Sequence, residues 1–240
     1  MNMKSNKQLL TCVSLVTALF LVGCDSNDNP SIETPTPPVV TTTDYSYEVM
    51  VTNLTSSQPL SPVTVVSHED ITLWSVGVSA SAALELLAES GDNSEIIADT
   101  RLLNTIAGGS PLSPGMTESL VITTTSEEAP LLSILSMLVN TNDAFSGRTA
   151  IDVSGMAIGD NLSMMTRSYD SGTEANSEVA GTIPGPADGG EGFNSARDDV
   201  DYVAGHPGVI SMDDGLTTSV LSAIHKFDNP VMKITITRTQ

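Results

Sequence analysis

Residues 45–52 read Tyr45-Ser-Tyr-Glu-Val-Met-Val-Thr52, so that an aromatic or β-branched residue stands at every second position. A period of two residues is typical of a strand that buries one face and exposes the other. The same alternation returns near the C-terminus in Met232-Lys-Ile-Thr-Ile-Thr237. The two segments indicate a β-rich domain whose strands have one buried face.

Further β-branched or apolar runs lie between these ends, bounded by Pro, Gly or Asn, at residues 63–67, 71–76, 120–125 and parts of 131–139. The number of short strands predicts an all-β fold, an antiparallel β-sandwich. One helical insertion interrupts it, because Ser79 or Ser81 can cap a helix that presents Leu84 and Leu87 and ends at Gly91. Residues 93–103 are expected to add a second short helix.

The N-terminus has the pattern of a signal peptide. Lys4 and Lys7 precede an apolar run at residues 9–22, which is shorter than the roughly 20 residues of a membrane span. The run ends in Leu21-Val-Gly-Cys24, which resembles a bacterial lipoprotein box. This resemblance implies cleavage after residue 23 and acylation of Cys24. The alternative is an ordinary secretory signal with a chance cysteine.

Asp25 resembles the residue that retains lipoproteins in the inner membrane of enteric-type bacteria. A periplasm-facing inner-membrane location is therefore expected, with the outer membrane as the alternative. Residues 25–44 are rich in Pro, Thr and Ser and predict an extended tether. The expected organisation is a signal peptide at 1–23, the lipidated cysteine and tether at 24–44, and one domain at 45–240.

Cysteine and charge content restrict the function further. The chain has two cysteines, and Cys12 lies within the predicted signal peptide, so no internal disulfide is expected. The formal charge is −20, and neither Lys nor Arg occurs between Lys7 and Arg101. Such a surface repels nucleic acid and lacks the basic stripe that binding would need. We therefore exclude nucleic acid as a partner.

Two acidic stretches are candidates for a metal site, Asn140-Thr-Asn-Asp-Ala-Phe-Ser-Gly147 and Tyr169-Asp-Ser-Gly-Thr-Glu-Ala-Asn176. Calcium prefers oxygen ligands on flexible loops. Gly172 can adopt a positive φ, which would bring Asp170 and Glu174 to one point. Ser171-Gly-Thr-Glu174 also matches a helix capping box without a metal. The spacing leaves both interpretations open.

Several blocks of the chain occur in a recognisable order. They are residues 47–62, His68, residues 77–81 running into 87–92, residues 137–145 and 170–176, and His206-Pro-Gly208. Together they resemble the spondin N-terminal domain family, which occurs in animal extracellular matrix and adhesion proteins and in many bacterial envelope proteins. The resemblance covers most of the chain from Tyr45 to Arg238.

The spondin resemblance implies a calcium-binding β-sandwich similar to calcium- and lipid-binding sandwich domains. It places the calcium-binding acids at Asp143, Asp170 and Glu174. The animal proteins carry Asp at the position of Glu174. They also carry cysteines that are absent here, so their disulfides do not transfer.

Other polar residues are weaker candidates for a functional site. The acid clusters Asp198-Asp-Val-Asp201 and Asp213-Asp214 could complete the calcium site or form a second one, but such runs are more often solvated loops. His68 and His206 are interpreted as residues that order loops through hydrogen bonds.

The sequence favours a non-enzymatic, lipid-anchored, calcium-binding module that binds a protein or glycan partner at the cell envelope, in an adhesion role. The alternative is a calcium-dependent enzyme acting on envelope polysaccharide or another polymer, with Asp143 and the Asp170/Glu174 pair as acid and base. No sequence feature separates these carboxylates across a cleft, and no G-x-S-x-G element is present. The protein is therefore expected not to be an enzyme.

Overall fold

The computed structural model describes residues 44–125 and 130–240. The predicted signal peptide, the lipidation site at Cys24 and the tether up to residue 43 lie outside the described residues. The elements follow in chain order: β1 (Asp44–Asn53), β2 (Thr64–His68), α1 (Ala82–Ser90), α2 (Ser94–Ile97), β3 (Asn104–Ala107), β4 (Thr117–Thr125), β5 (Leu131–Met137), β6 (Ala144–Asp152), β7 (Asn161–Thr166), β8 (Ser168–Asp170), β9 (Ala204–Gly205) and β10 (Met232–Arg238).

The strands form two antiparallel sheets. The first has four strands in the order β4-β1-β10-β7, and the second has six in the order β3-β2-β5-β6-β8-β9. Only two short α-helices occur among the described residues. The predicted β-sandwich with small helical insertions is therefore confirmed.

The core lies between the two sheets. The first and last strands meet in the middle of the four-stranded sheet, where Val49 of β1 pairs with Ile236 of β10 on one side and with Leu120 of β4 on the other. All three side chains are buried. Val65 and Ile134 of the second sheet belong to the same apolar cluster. The apolar side chains that alternate in the sequence of β1 and β10 thus point into this core.

Helix α1 covers the outer face of the six-stranded sheet. The side chain of Ser81 accepts a hydrogen bond from Leu84 N, and Gly91, with a φ of 72°, donates its N–H to Leu87 O. Both caps were predicted. Leu84 and Leu87 pack with Leu135 from the outer face of the sheet. The outer face is therefore a second, smaller core.

Residues 71–76 do not form the predicted strand. Their backbone is held by side chains, since Ile71 N donates to His68 Nδ1 at 3.3 Å and Leu73 N donates to Thr149 Oγ1 at 3.1 Å. The run is apolar because Trp74 packs against the outer face of the six-stranded sheet. A covering loop and a buried strand carry similar apolar runs, so periodicity did not separate them.

Strand β6 and the following segment, β7 and β8, form a hairpin that is paired at β8 and splits at β7. Residues 144–146 of β6 pair with residues 168–170 of β8 within the six-stranded sheet. Strand β7, which precedes β8 by one residue, pairs instead with β10 of the other sheet. The two sheets are therefore joined at Arg167. None of the described helices is long and apolar enough to cross a bilayer.

Gly147 is a site where the fold tolerates no side chain. It lies in β6 opposite Leu135, and a Cβ there would come within 2.2 Å of Ile134 O. We expect Gly147→Ala to lower the free energy of unfolding by about 1–3 kcal/mol, the usual effect of overpacking. Urea unfolding of a protein spanning residues 44–240 measures the change. Gly155→Ala is the control, since its Cβ would meet nothing within 4 Å, and equal stability of the two variants would contradict the prediction.

Candidate metal centre

Three neighbouring strands bring the candidate ligands together. Asp143 immediately precedes β6, and Asp170 is the last residue of β8 and pairs with Ala144. His206 follows β9, and its backbone N–H donates to the backbone carbonyl of Ser168 at 3.4 Å. In antiparallel strands, directly paired residues and their second neighbours share a face. The pairing therefore places His206, the second neighbour of Ala204, on the same face as Asp170. Asp143, the residue before β6, joins the two from the end of that strand.

The resulting cluster is compact and buried. One potential ligand atom from each of Asp143, Asp170 and His206 lies within 4.8 Å of the others. All three residues are buried, with Asp143 at 0% exposure and His206 at 6%. This group could hold a metal ion.

The two carboxylate oxygens of Asp143 have different surroundings. Oδ2 accepts hydrogen bonds from Ser171 Oγ at 2.7 Å, Thr173 N at 3.0 Å and Glu174 N at 3.3 Å. Oδ1 is buried and has no hydrogen-bond partner in the part of the chain that the structure describes. A buried acceptor without a partner costs about 1–3 kcal/mol or more when it is charged. One oxygen thus fixes the loop, and the other is left for a ligand.

The loop after β8 curls around Asp170 as the sequence predicted. Gly172 has a φ of 72°, and a Cβ there would lie 2.3 Å from Tyr202 O. Asp170 Oδ1 accepts from Gly172 N at 2.8 Å, and Oδ2 accepts from Asn176 Nδ2 at 2.5 Å. The glycine is therefore required both by its conformation and by the close approach of the 198–202 loop.

Glu174 lies beside the cluster and is not one of its three members. Its Oε1 accepts from Asn142 Nδ2 at 2.8 Å, and its Oε2 is buried without a partner. The capping box does not form, because no helix follows Ser171 and its hydroxyl donates to Asp143 instead. The structure therefore unites Asp143 with Asp170 and leaves Glu174 next to them with a free oxygen.

Buried negative charge dominates the electrostatics of the site. Burial, followed by the charge of Asp170, raises the pKa of Asp143 to about 7. Burial raises the pKa of Glu174 to about 8, and the charges of Glu89, Asp143 and Asp198 add to the effect. Among the described residues, no basic side chain pairs with Asp143, Asp170 or Glu174. Buried charges of this kind are normally paired or bound to a metal.

His206 has a defined proton arrangement. Its Nδ1 accepts the backbone N–H of Gly208 at 3.0 Å, and burial lowers its pKa to about 4. A neutral ring whose Nδ1 accepts must carry its proton on Nε2. That nitrogen is buried without a partner. His206 therefore carries an unpartnered N–H donor at Nε2, whereas ligation of a metal through Nε2 would need a lone pair there.

An aromatic cluster supports the site from the opposite face of the sheet. Phe145 and Tyr169 stack with centroids 5.4 Å apart, and Trp74 meets Phe145 edge to face at 5.2 Å. Phe145 and Tyr169 are the paired residues beside Ala144 and Asp170. Their packing therefore fixes the backbone that carries the acidic side chains.

Some residues of the remaining acid clusters lie near the candidate site, and others form ion pairs. Asp199 is half-buried, and the charge of Asp170 contributes to its raised pKa. Asp198 accepts from Ala175 N at 2.9 Å, and Asp201 pairs with Arg197. Asp214 pairs with Lys226. The 198–199 pair therefore lies at the rim of the site, whereas Asp201 and Asp214 serve ion pairs.

Two buried residues near the centre were missed as members of the site. His206 was interpreted only as a loop-ordering residue, which its bond to Gly208 does fulfil. Glu89 of α1 is fully buried, has one unpartnered oxygen, Oε1, and acts on the pKa of Glu174. An acid at a buried position of an amphipathic helix was the available signal for Glu89.

Comparison with family models found no match for this chain, and no curated protein matched its sequence.

Proposed function

We propose that this protein is a calcium-binding module of the cell envelope that engages a protein or glycan partner. One observation carries the calcium site: within the described residues, Asp143 and Glu174 each keep a buried oxygen without a partner, and no basic side chain forms an ion pair with either of them or with Asp170. Without a metal, burial favours the protonated forms of Asp143 and Glu174. A divalent cation would supply the missing positive charge.

The donor set favours calcium over zinc. Among the described residues, two of the three unpartnered atoms in and beside the cluster, Asp143 Oδ1 and Glu174 Oε2, are carboxylate oxygens, which are the ligands that Ca²⁺ prefers. Zinc sites commonly use a histidine lone pair, and His206 would have to give up its bond to Gly208 to offer one. As an N–H donor, His206 can instead orient a carboxylate or a metal-bound water. Asp143 and Asp170 would bind the ion, and Glu174 could join them through Oε2.

Burial supports a binding role over catalysis by these acids. The Asp143 and Asp170 ligand atoms lie within 4.8 Å of each other, and both residues are buried. Glycoside hydrolysis uses carboxylates about 5–9.5 Å apart across a substrate. A buried, close pair offers no room for a polymer, so calcium would order the surrounding loops for recognition.

Attachment to the envelope rests on the sequence. The Leu21-Val-Gly-Cys24 box supports a lipid anchor on Cys24, and Asp25 supports retention in the inner membrane facing the periplasm. The resemblance to spondin N-terminal domains supports an adhesion role. The formal charge of −20 argues against anionic polymers as the partner of the acidic surface.

Calcium should stabilise the folded protein. At free calcium of about a hundred times the dissociation constant, the gain is roughly 2.7 kcal/mol, and each kcal/mol corresponds to about 2–4 °C in Tm for a domain of this size. Asp170→Asn should lose most of this gain because it removes a charged ligand. Thermal melts of residues 44–240 in calcium and in chelator measure both values.

The control for this experiment is Asp70→Asn, which removes an exposed acid and should keep the full calcium shift. Zinc at the same concentration should give a smaller shift than calcium. Equal melting temperatures of the parent protein in calcium and in chelator would refute the site.

The calcium shift should also depend on pH. The folded-state pKa values of about 7 for Asp143 and about 8 for Glu174 lie above their ordinary values of 3.8 and 4.5. At these two carboxyl groups the folded metal-free protein therefore binds more protons than the unfolded chain between about pH 4 and 8, and their contribution to stability falls as pH rises. The lowered pKa of His206, about 4, acts in the opposite direction below about pH 6.5. Calcium compensates the ionised groups and releases the protons. The calcium-induced rise in Tm should be larger at pH 8 than at pH 5.

The Asp143→Asn variant provides the comparison for this pH experiment. It lacks the titrating carboxyl, so its Tm in chelator should fall less between pH 5 and pH 8 than that of the parent. A parent Tm in chelator that rises across this range would contradict the assignment.

The lipid anchor depends on the thiol of Cys24. Cys24→Ser should abolish acylation and block or alter cleavage at residue 23, since the hydroxyl cannot form the thioether. Metabolic labelling with a fatty acid, together with membrane fractionation, measures the effect. The Cys12→Ser variant is the matched control and should be labelled like the parent, whereas unchanged labelling of Cys24→Ser would rule out the anchor.

A further inference from the structure

The split hairpin leaves two strand edges unpaired. Strand β7 is the last strand of the four-stranded sheet, and within residues 44–125 and 130–240 it pairs only with β10. In β6 the pairing with β8 ends at Ser146, so residues 147–152 pair only with β5. The two free edges belong to different sheets. We call the space between them the β6/β7 slot.

The β6/β7 slot contains a cavity of about 450 Å³. It is lined by Arg148, Ala150, Ile151 and Asp152 of β6 and by Leu162, Met164 and Met165 of β7. Leu162 is 38% exposed and Met165 is 65% exposed. A large apolar side chain therefore has a pocket between the sheets, next to a free strand edge.

Strand β7 lacks the features that protect edge strands. Its sequence is Asn-Leu-Ser-Met-Met-Thr, without a charged residue, a proline or a glycine. Natural edge strands are commonly short, charged or bulged, which prevents unwanted pairing. The other edges differ from β7, because β3 has four residues, β9 has two, and a carbonyl of β4 is capped by Asn104 Nδ2 at 2.8 Å. The unprotected edge of β7 is suited to pairing with an added strand.

The surroundings of the β6/β7 slot carry unpaired positive charge. The side chains of Arg148, Arg167 and Lys233 have neither a hydrogen bond nor an ion pair within the described parts of the chain, whereas Arg101, Arg197 and Lys226 each pair with an acid. Arg148 lines the cavity, and Lys233 pairs across the strands with Met165. The guanidinium of Arg167 lies against Gly205 of β9 instead. Asp152 is the one acid that lines the cavity. In a chain with 29 acidic and 9 basic residues, two free cations, Arg148 and Lys233, beside one acid are complementary to an anionic partner.

We propose that the β6/β7 slot binds an extended peptide segment of a partner protein in which apolar and acidic residues alternate. The segment adds to the edge of β7 as a fifth strand of that sheet. An apolar side chain enters the cavity beside Ile151 and Leu162. Acidic side chains on the segment pair with Arg148 and Lys233. The proposal does not rest on the calcium site, since neither Asp143 nor Asp170 lines the cavity.

A synthetic peptide tests the proposal with the purified full chain in chelator. The probe alternates valine with glutamate over about ten residues, the upper length of common strands, and its control replaces each glutamate with lysine. We expect saturable binding of the acidic probe alone. In NMR spectra, residues 161–166 should shift and their amides should gain protection from hydrogen exchange, which is the signature of strand addition.

Surface variants distinguish the β6/β7 slot from general attraction. Arg148→Ala should weaken probe binding about tenfold, the equivalent of about 1.4 kcal/mol, while Arg101→Ala, with the same change in formal charge, should leave it unchanged. Leu162→Lys should abolish strand addition by charging the edge. Because Arg148 and Leu162 are exposed, unchanged melting temperatures show that these variants fold.

Several results would overturn the proposal. Absence of saturable binding, equal binding of the lysine peptide, or shifts confined to other strands would each do so. Self-association of the chain that Leu162→Lys removes would assign the edge to a second copy instead. Binding to vesicles of anionic phospholipid without binding of the peptide would assign the patch to a membrane.

Discussion

The short pairing of β6 with β8 positions both the candidate metal centre and the β6/β7 slot. Over residues 144–146 and 168–170 it holds the two loops that carry Asp143 and Asp170 side by side. Immediately beyond, the hairpin splits, and β7 crosses to the other sheet to pair with β10. Three residue pairs therefore create a buried acidic site on one side and an open slot on the other. The packing of Phe145 against Tyr169 keeps this pairing in register.

The acidic site opposes the stability of the sandwich around it. The apolar core between the sheets and the smaller core beneath α1 favour folding, whereas desolvated carboxyl groups at Asp143 and Glu174 disfavour it. Hydrogen bonds to Asp143 Oδ2 offset part of this cost. The unpartnered oxygens are what a cation would satisfy. Binding of a cation at this site would couple the order of the 171–176 loop to the concentration of that cation.

The sequence predicted well where the local pattern and the burial agree. The alternation in β1 and β10, the caps of α1 at Ser81 and Gly91, and the left-handed Gly172 are set by neighbours close in the chain. The sequence predicted less where strands are short or where an apolar segment covers a sheet instead of forming a strand. Strand β8 has three residues and β9 has two, too few for a period to appear. Residues 71–76 carry a strand-like composition because they cover a sheet, which is a tertiary role.

By itself the sequence determined the β-sandwich class, the helical insertion, the acidic character of the chain and the two loops in which acids could meet. Each of these depends on composition or on spacings of a few residues. Only the tertiary structure decided that Asp143 and Asp170 are joined by His206 rather than by Glu174, that Glu89 lies nearby, and that β6 and β7 part to leave a slot. These features depend on which distant strands pair, and pairing is decided by the burial of whole sheet faces, which no local spacing encodes.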